Sequence, residues 1–258
     1  MLDVQLIPAF EDNYIWLLTD GTGNAAVVDP GDAEPVLERL STERLTLTSV
    51  LITHHHYDHI GGLEDLLVAF PGLEVNGPDD DRLRALTHRR REGETFVPAG
   101  LATPFQVLEV PGHTFSHIAY LGDGRLFCGD TLFAAGCGRV FDGTFEQLAR
   151  SLERIAALPG ETLCYCAHEY TQANLGFAEW VEPDSPTLAE RVRQVQLQRA
   201  KDQPTVPSRL DLERATNPFL RTREPGVIAT AERQTGHRLA TSAEVFTALR
   251  RWKDEQYD

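Results

Sequence analysis

The sequence predicts an α/β fold followed by a smaller helical domain. Over the first two-thirds of the chain, short apolar or β-branched runs alternate with helical stretches, the order that lays a sheet down with helices against it. After about Tyr170 the texture becomes helical and rich in Arg, Gln and Leu. Four potential metal ligands follow directly on one of the β-like runs, and the strand ends of open α/β sheets are where functional groups collect. These observations divide the chain into residues 1–172 and residues 173–258.

Val4-Gln5-Leu6-Ile7 and Tyr14-Ile15-Trp16-Leu17-Leu18 read as strands. Ala25 to Val28 reads as a third, closed by the turn signal Asp29-Pro30-Gly31. A short helix is expected over Pro35–Leu40. Leu47 to Thr53 is apolar and β-branched, a strand that runs into the histidine cluster. Further strands are expected at Phe105–Val110, His117–Leu121, Arg125–Cys128 and Thr162–Cys166. Phe145–Leu158 reads as a helix with Thr144 as its cap. In the last third, Glu190–Gln203 reads as helical, and Leu188 just before it stands at helical spacing with Val192 and Val195. Val245, Phe246, Leu249 and Trp252 form the apolar stripe of a terminal helix, and Ser242 and Glu244 suit its first turn.

Composition bounds the function. The chain has 258 residues and a formal net charge of -15. Such a surface repels a polyanion, so no nucleic acid partner is expected. The basic run His88-Arg89-Arg90-Arg91 is short and followed by Glu92 and Glu94, and reads as a solvated helix end. No apolar stretch is long enough to span a bilayer, and no membrane partner is expected. The first residues lack the pattern of a secretory signal, and a cytoplasmic protein is expected. Cys128, Cys137, Cys164 and Cys166 fit neither a zinc ribbon nor a disulfide framework, and read as reduced thiols. A monomer is the default.

The chemistry concentrates in Thr53-His54-His55-His56-Tyr57-Asp58-His59. If the chain stays extended after the strand, His54 and His56 point to one side and His55 to the other. Two imidazoles on one side can clamp an ion. Asp58 and His59 follow in a tighter turn and can serve a second ion, with Gly61-Gly62 permitting close backbone approach. Past three later strands stand His113 in Pro-Gly-His-Thr, Asp130 in Cys-Gly-Asp-Thr and His168 in Cys-Ala-His-Glu-Tyr. This donor set suits zinc, iron or manganese.

The run His54-x-His56-x-Asp58-His59, with a later Gly-His, Gly-Asp and His, resembles the metallo-β-lactamase superfamily. The resemblance implies an αββα sandwich and two divalent metal ions, Zn2+ first with Fe or Mn as alternatives. It implies that His54, His56 and His113 hold one ion, that Asp58, His59 and His168 hold the other, and that Asp130 bridges both. Three further segments, Thr131 to Phe141, His168-Glu169-Tyr170-Thr171 and Arg250-Arg251-Trp252-Lys253-Asp254, are similar to the glyoxalase II family, the hydroxyacylglutathione hydrolases. So is Arg214 to Arg221. The resemblance then covers nearly the whole chain and assigns the helical domain to substrate binding.

That family holds glutathione through positions that fall here on Arg139, Phe141, Tyr170, Arg250 and Lys253. Two of them depart from its commonest pattern: Arg139 stands where Lys is frequent, and Phe141 where Tyr is frequent. Phe141 has no hydroxyl to donate. The resemblance implies hydrolysis of the thioester of an S-(2-hydroxyacyl)glutathione, such as S-D-lactoylglutathione, to glutathione and a 2-hydroxy acid. The expected nucleophile is a hydroxide shared by the ions, with Asp58 and Asp130 as the expected catalytic residues, and the resemblance implies methylglyoxal detoxification as the pathway. Cys137 is assigned a structural role at a tight Gly-Cys-Gly turn. The rival readings are a glutathione-persulfide dioxygenase or a nuclease of the same fold, and a non-enzymatic metal-bound interaction module.

Overall fold

The computed structural model describes residues 2–257. Its contacts divide into two compact units that are interleaved in sequence. One comprises residues up to Glu109 together with Ser116–Gly129; the other comprises Val110–Phe115 together with the chain from Asp130 onward. The boundary at 172/173 divides the chain by sequence position, whereas these units divide it by contact.

In the first unit the elements run β1 (Asp3–Ala9), β2 (Asn13–Thr19), β3 (Asn24–Val28), α1 (Glu34–Glu43), β4 (Thr46–Leu51), α2 (Tyr57–Ile60), α3 (Leu63–Ala69), β5 (Glu74–Pro78), β6 (His88–Arg90), β7 (Thr95–Phe96), β8 (Phe105–Glu109), β9 (Ile118–Gly122) and β10 (Arg125–Gly129). Strands β1 to β6 form one sheet in sequence order. Its first two pairings are antiparallel, and β3, β4, β5 and β6 are mutually parallel. Strand β2 is buried along its whole length, which its unbroken apolar run requires. Val36 and Leu40 of α1 and Leu63 and Leu66 of α3 pack with Ile15, Leu17, Val27, Val50 and Ile52 in one core. Strands β7 to β10 form an antiparallel run. The buried Tyr120 on β9 ties that run to the first sheet, its hydroxyl donating to the Ile52 carbonyl at 2.8 Å.

The expected strands at residues 4–7, 14–18, 25–28, 47–53, 105–110, 117–121 and 125–128 are all present with small shifts of boundary. The basic run is a correction. His88–Arg90 is the edge strand β6, and no helix end lies there. Arg89 and Arg91 pair with Asp79 at 2.8 and 2.9 Å, and the Arg90 guanidinium lies 3.9 Å from the Phe96 ring centroid. Charged side chains are a common device on edge strands, where they oppose pairing with other chains.

The second unit runs β11 (Leu132–Phe133), β12 (Gly136–Cys137), α4 (Phe145–Ala156), β13 (Leu163–Cys166), α5 (Thr171–Val181), α6 (Pro186–Arg199), β14 (Ser208–Arg209), α7 (Leu210–Thr216), α8 (Pro225–Thr235) and α9 (Ser242–Gln256). Thr144 caps α4 in a reciprocal box with Gln147. Thr241 and Glu244 do the same for α9, so the cap lies one residue before Ser242. Ser185 caps α6, which therefore starts and ends earlier than the sequence periodicity indicates. Leu188 and Val195 are buried against Ala135, Leu175 and Ala178. Val245, Phe246 and Leu249 are buried as the stripe predicts. Among the described residues, no helix is long and apolar enough to cross a membrane.

Candidate functional site

The first unit supplies His54, His56, Asp58 and His59. Strand β4 ends at Leu51, and the parallel strand β3 beside it ends at Val28. The chain leaving β4 bends at Thr53 and is extended at His56, the residue before the single turn α2. The alternation expected from extended backbone holds. Ligand atoms of His54 and His56 lie within 4.8 Å of each other, as do those of His54 and His59 and those of Asp58 and His59. His55 turns elsewhere, its Nδ1 3.7 Å from Asp80 Oδ2. The glycines are needed for this turn to close: a Cβ on Gly31 would stand 1.9 Å from the Asp58 carbonyl oxygen, and one on Gly62 would stand 2.4 Å from the Ala33 nitrogen.

A residue that sequence reasoning missed organises this half. Asp29, just past β3, is buried and accepts from the Thr53 backbone N–H and the Thr53 hydroxyl, each at 2.7 Å. Its Oδ2 also lies 3.0 Å from His59 Nδ1. The Thr53 hydroxyl thus sends its only proton to Asp29, so its lone pair takes the Nδ1–H of His54, 3.0 Å away. Both imidazoles are thereby fixed as Nδ1–H tautomers with Nε2 left as the donor for an ion. Oriented ligand histidines bonded to a carboxylate behind them are a recurring feature of metal sites. Asn13 is the other omission: its Nδ2 donates to Asp58 Oδ2 at 3.0 Å. The available signals were an Asp at a strand end, and an Asn opening β2.

The second unit supplies His113, Asp130 and His168. His113 Nδ1 donates to the Arg139 carbonyl at 2.8 Å, so Nε2 is the nitrogen turned toward Asp130. That Nε2 is 3.5 Å from Asp130 Oδ2, while His168 Nε2 is 3.4 Å from Asp130 Oδ1. In the first unit, His59 Nε2 lies 3.4 Å from Asp58 Oδ2. These separations exceed the usual hydrogen-bond range of about 2.7–3.2 Å. They match the edge of a tetrahedron around one ion, about 3.3–3.6 Å for bonds of 2.0–2.2 Å. The two oxygens of Asp130 face different histidines, as a carboxylate shared by two ions does. The donor set and its spacing therefore fit divalent metal ions.

Gly138 allows this arrangement, since a Cβ there would stand 2.0 Å from the Asp130 carbonyl oxygen and 2.9 Å from His113 Nδ1. Cys137 is a correction. It lies on strand β12 of a hairpin with β11, and the turn is at Ala134-Ala135, where Ala135 has φ 58°. Glu213 accepts from the Ala135 N–H at 2.8 Å and stabilises that turn. Burial pushes the Cys137 thiol up to about 11, so it is protonated and a poor nucleophile at neutral pH.

The residues expected to meet glutathione all lie in the second unit. Tyr170 stacks on His168, with centroids 4.7 Å apart and planes 8° from parallel. Phe141 is exposed and sets its ring edge-on to His113 at 5.1 Å. Arg139 is half-exposed, whereas Arg250 and Lys253 on α9 are buried.

Comparison with known proteins gives the following. Residues 9–168 match the model of the metallo-beta-lactamase superfamily, and residues 169–256 match that of the hydroxyacylglutathione hydrolase C-terminus. A hydroxyacylglutathione hydrolase of Alkalilimnicola ehrlichii is 54% identical over 256 residues, covering 99% of this chain and 100% of that protein. One of Aliivibrio fischeri is 51% identical over 255 residues, again covering 99% and 100%. Among solved structures, ETHE1 from Myxococcus xanthus matches with a TM-score of 0.58 and 30% identity, covering 87% of this chain and 99% of that one. TTHA1623 in a di-iron-bound form matches with a TM-score of 0.60 and 25% identity, covering 84% and 100%. The B3 metallo-beta-lactamase BLEG-1, at 22% identity and a TM-score of 0.61 over 85% and 99%, shares the fold.

Proposed function

Since the chain belongs to the hydroxyacylglutathione hydrolases of the metallo-β-lactamase superfamily, we propose that its seven His and Asp donors hold two ions that serve thioester hydrolysis. The protein is a thioester hydrolase acting on a hydroxyacylglutathione. The finer reading is that His54, His56 and His113 take one ion, that Asp58, His59 and His168 take the other, and that Asp130 serves both. The observation that carries it is the division of Asp130, with one oxygen toward His113 and the other toward His168. Zinc is the first choice of metal, with iron and manganese compatible with the same donors.

Divalent ions held by these donors would supply Lewis acidity for the thioester carbonyl and a water whose pKa is lowered to about 7. The protein's own residues do the rest. Asp58, held by Asn13, orients the attacking water. Asp130 presents one oxygen toward His113 and the other toward His168. Arg139, Phe141, Tyr170, Arg250 and Lys253 form the part of the helical region, residues 173–258 with its neighbours, that receives the glutathionyl group. The leaving thiolate has a conjugate acid with a pKa of about 8.5, by analogy with free Cys, so it departs without a strong general acid. No protein thiol takes part.

We place the reaction in methylglyoxal detoxification, with S-D-lactoylglutathione as substrate and D-lactate as product, and the enzyme in the cytoplasm as a monomer. The four cysteines are buried thiols that form no disulfide, in keeping with a reducing compartment. The test is an S-D-lactoylglutathione hydrolysis assay paired with metal analysis of the same sample. Turnover with two ions per chain is expected. Dioxygen uptake with glutathione persulfide and one iron per chain would overturn the assignment.

A further inference from the structure

His54 and His117 are both fully buried, and their rings stack, with centroids 4.7 Å apart and planes 20° from parallel. The imidazoles of His56 and His59 cross the His54 ring instead, at 75° and 55°. A centroid separation of about 4.5–7 Å is the range that aromatic pairs favour. Contacts on both sides of residue 117 hold the stack in register. The Ile118 N–H donates to the Thr53 carbonyl at 3.0 Å, which sets residue 117 beside residue 54. The Ser116 hydroxyl donates to Asp80 Oδ2 at 2.5 Å. Gly129 leaves room for the ring: a Cβ there would stand 2.9 Å from both Cε1 and Nε2 of His117.

The Thr53 hydroxyl meets His54 Nδ1 at 3.0 Å and sets its tautomer, but it sets the ring plane only loosely. A hydrogen bond tolerates a tilt of about 30°, and the Cβ–Cγ torsion of His has no sharp minimum of its own. The Nε2 lone pair lies in the ring plane, so a tilted ring aims it away from an ion. A flat neighbour on the face of the ring removes that freedom. Packing alone would be served by any apolar side chain of similar volume, whereas a face laid nearly parallel to His54 needs a ring.

We propose that His117 is a positioning residue for the metal centre: its imidazole face fixes the plane of the His54 ring, and with it the direction of the His54 Nε2 lone pair. This rests on the reading above that His54 holds an ion.

The test compares the full-length wild type with His117→Phe, which keeps a flat ring, and His117→Gln, which keeps a polar side chain without a ring. Cobalt(II) affinity is measured by competition with a chromophoric chelator, and ligand geometry by the visible ligand-field spectrum of the cobalt-loaded protein. His117→Gln is expected to weaken affinity by about 10–100-fold, the effect of losing a partner behind a ligand histidine, and to shift the ligand-field bands. His117→Phe is expected to stay close to wild type in both. Wild-type affinity and spectrum in His117→Gln overturn the proposal. So does a His117→Phe protein as impaired as His117→Gln, since the polar atoms of residue 117 would then matter and its face would not. Should His117→Phe fail to fold, the His117→Gln spectrum at saturating cobalt decides: shifted bands support the proposal, and unchanged bands assign the lost affinity to a looser fold and overturn it. His54→Ala tests the premise. If it binds cobalt as the wild type does, the reading of His54 fails and the inference falls with it. If it loses an ion while both His117 variants bind as wild type, the inference alone fails.

Discussion

His59 Nδ1 lies 3.0 Å from Asp29 Oδ2, and both side chains are buried. The same oxygen accepts from the Thr53 hydroxyl, which in turn faces His54. One carboxylate thus sets the tautomers of two imidazoles. Replacing it by an amide offers an N–H where an acceptor is needed. Asp29→Asn is expected to lower metal affinity by about 10–100-fold, the usual effect of losing the partner behind a ligand histidine. Competition against a chromophoric chelator measures it, and unchanged affinity would remove Asp29 from the role.

Removal of the ions should separate chemistry from folding. The first unit has its own core of Ile15, Val27, Val50, Leu66 and others, so the stripped protein should keep its secondary structure. Exhaustive dialysis against a chelator is expected to abolish thioester hydrolysis while far-UV circular dichroism stays close to that of the loaded protein. Adding back zinc, iron or manganese should restore turnover. Residual turnover in metal-free protein would contradict the mechanism.

How much of this was legible beforehand differs residue by residue. His54, His56, Asp58 and His59 could be read because a strand followed by extended backbone alternates its side chains, and the structure keeps that alternation. Asp29 could not, because Asp-Pro-Gly after a strand looks the same whether the Asp only turns the chain or also reaches a histidine thirty positions on. Strand β6 was missed because its basic side chains mimic a solvated helix end. What shows it to be a strand is pairing with β5, a contact no local pattern encodes. Arg250 and Lys253 could be placed on one helix face, but their burial depends on what packs over that face. The substrate residues came from resemblance to a family and not from periodicity or charge.

The buried pair of Arg191 and Glu213 supports the hairpin that leads to Arg139. Arg191 bonds Glu213 and, at 2.6 Å, the Thr216 hydroxyl. Glu213 in turn receives the Ala135 N–H. Arg191→Met leaves a carboxylate buried without its cation, which costs about 3–5 kcal/mol. Urea unfolding should show that loss as a lower midpoint, and a loss under about 1 kcal/mol would mean that the site relaxes to readmit water.

Phe141 is 65% exposed, and its ring edge meets His113 while its backbone N–H donates to the His113 carbonyl at 3.0 Å. The position is held by backbone, and so much exposure leaves room for a hydroxyl. If glutathione passes here, Phe141→Tyr adds one hydrogen bond worth about 0.5–1.5 kcal/mol. KM for S-D-lactoylglutathione should fall by about twofold to tenfold with kcat unchanged. No change would mean that the missing hydroxyl has no counterpart on the substrate.

Acid stability should depend on Asp80. The Arg82 guanidinium beside it holds its carboxyl well below the usual carboxylate range; burial opposes this, and the Ser116 hydroxyl and the Arg82 backbone N–H reinforce it. His55 Nδ1 approaches the same carboxylate at 3.7 Å, so Asp80 also steadies the middle of the histidine run. The sign follows from proton binding. A group whose folded pKa is depressed binds fewer protons folded than unfolded, so it stabilises the fold above its unfolded pKa of about 3.9. That stabilisation is lost as pH falls from there toward the folded value. Asp80→Asn should therefore lower the melting temperature of metal-stripped protein at pH 7, and the gap from wild type should narrow as pH drops below about 4. Thermal melts of both proteins across that range measure it, and a gap independent of pH would show that the contribution of Asp80 is packing and not charge.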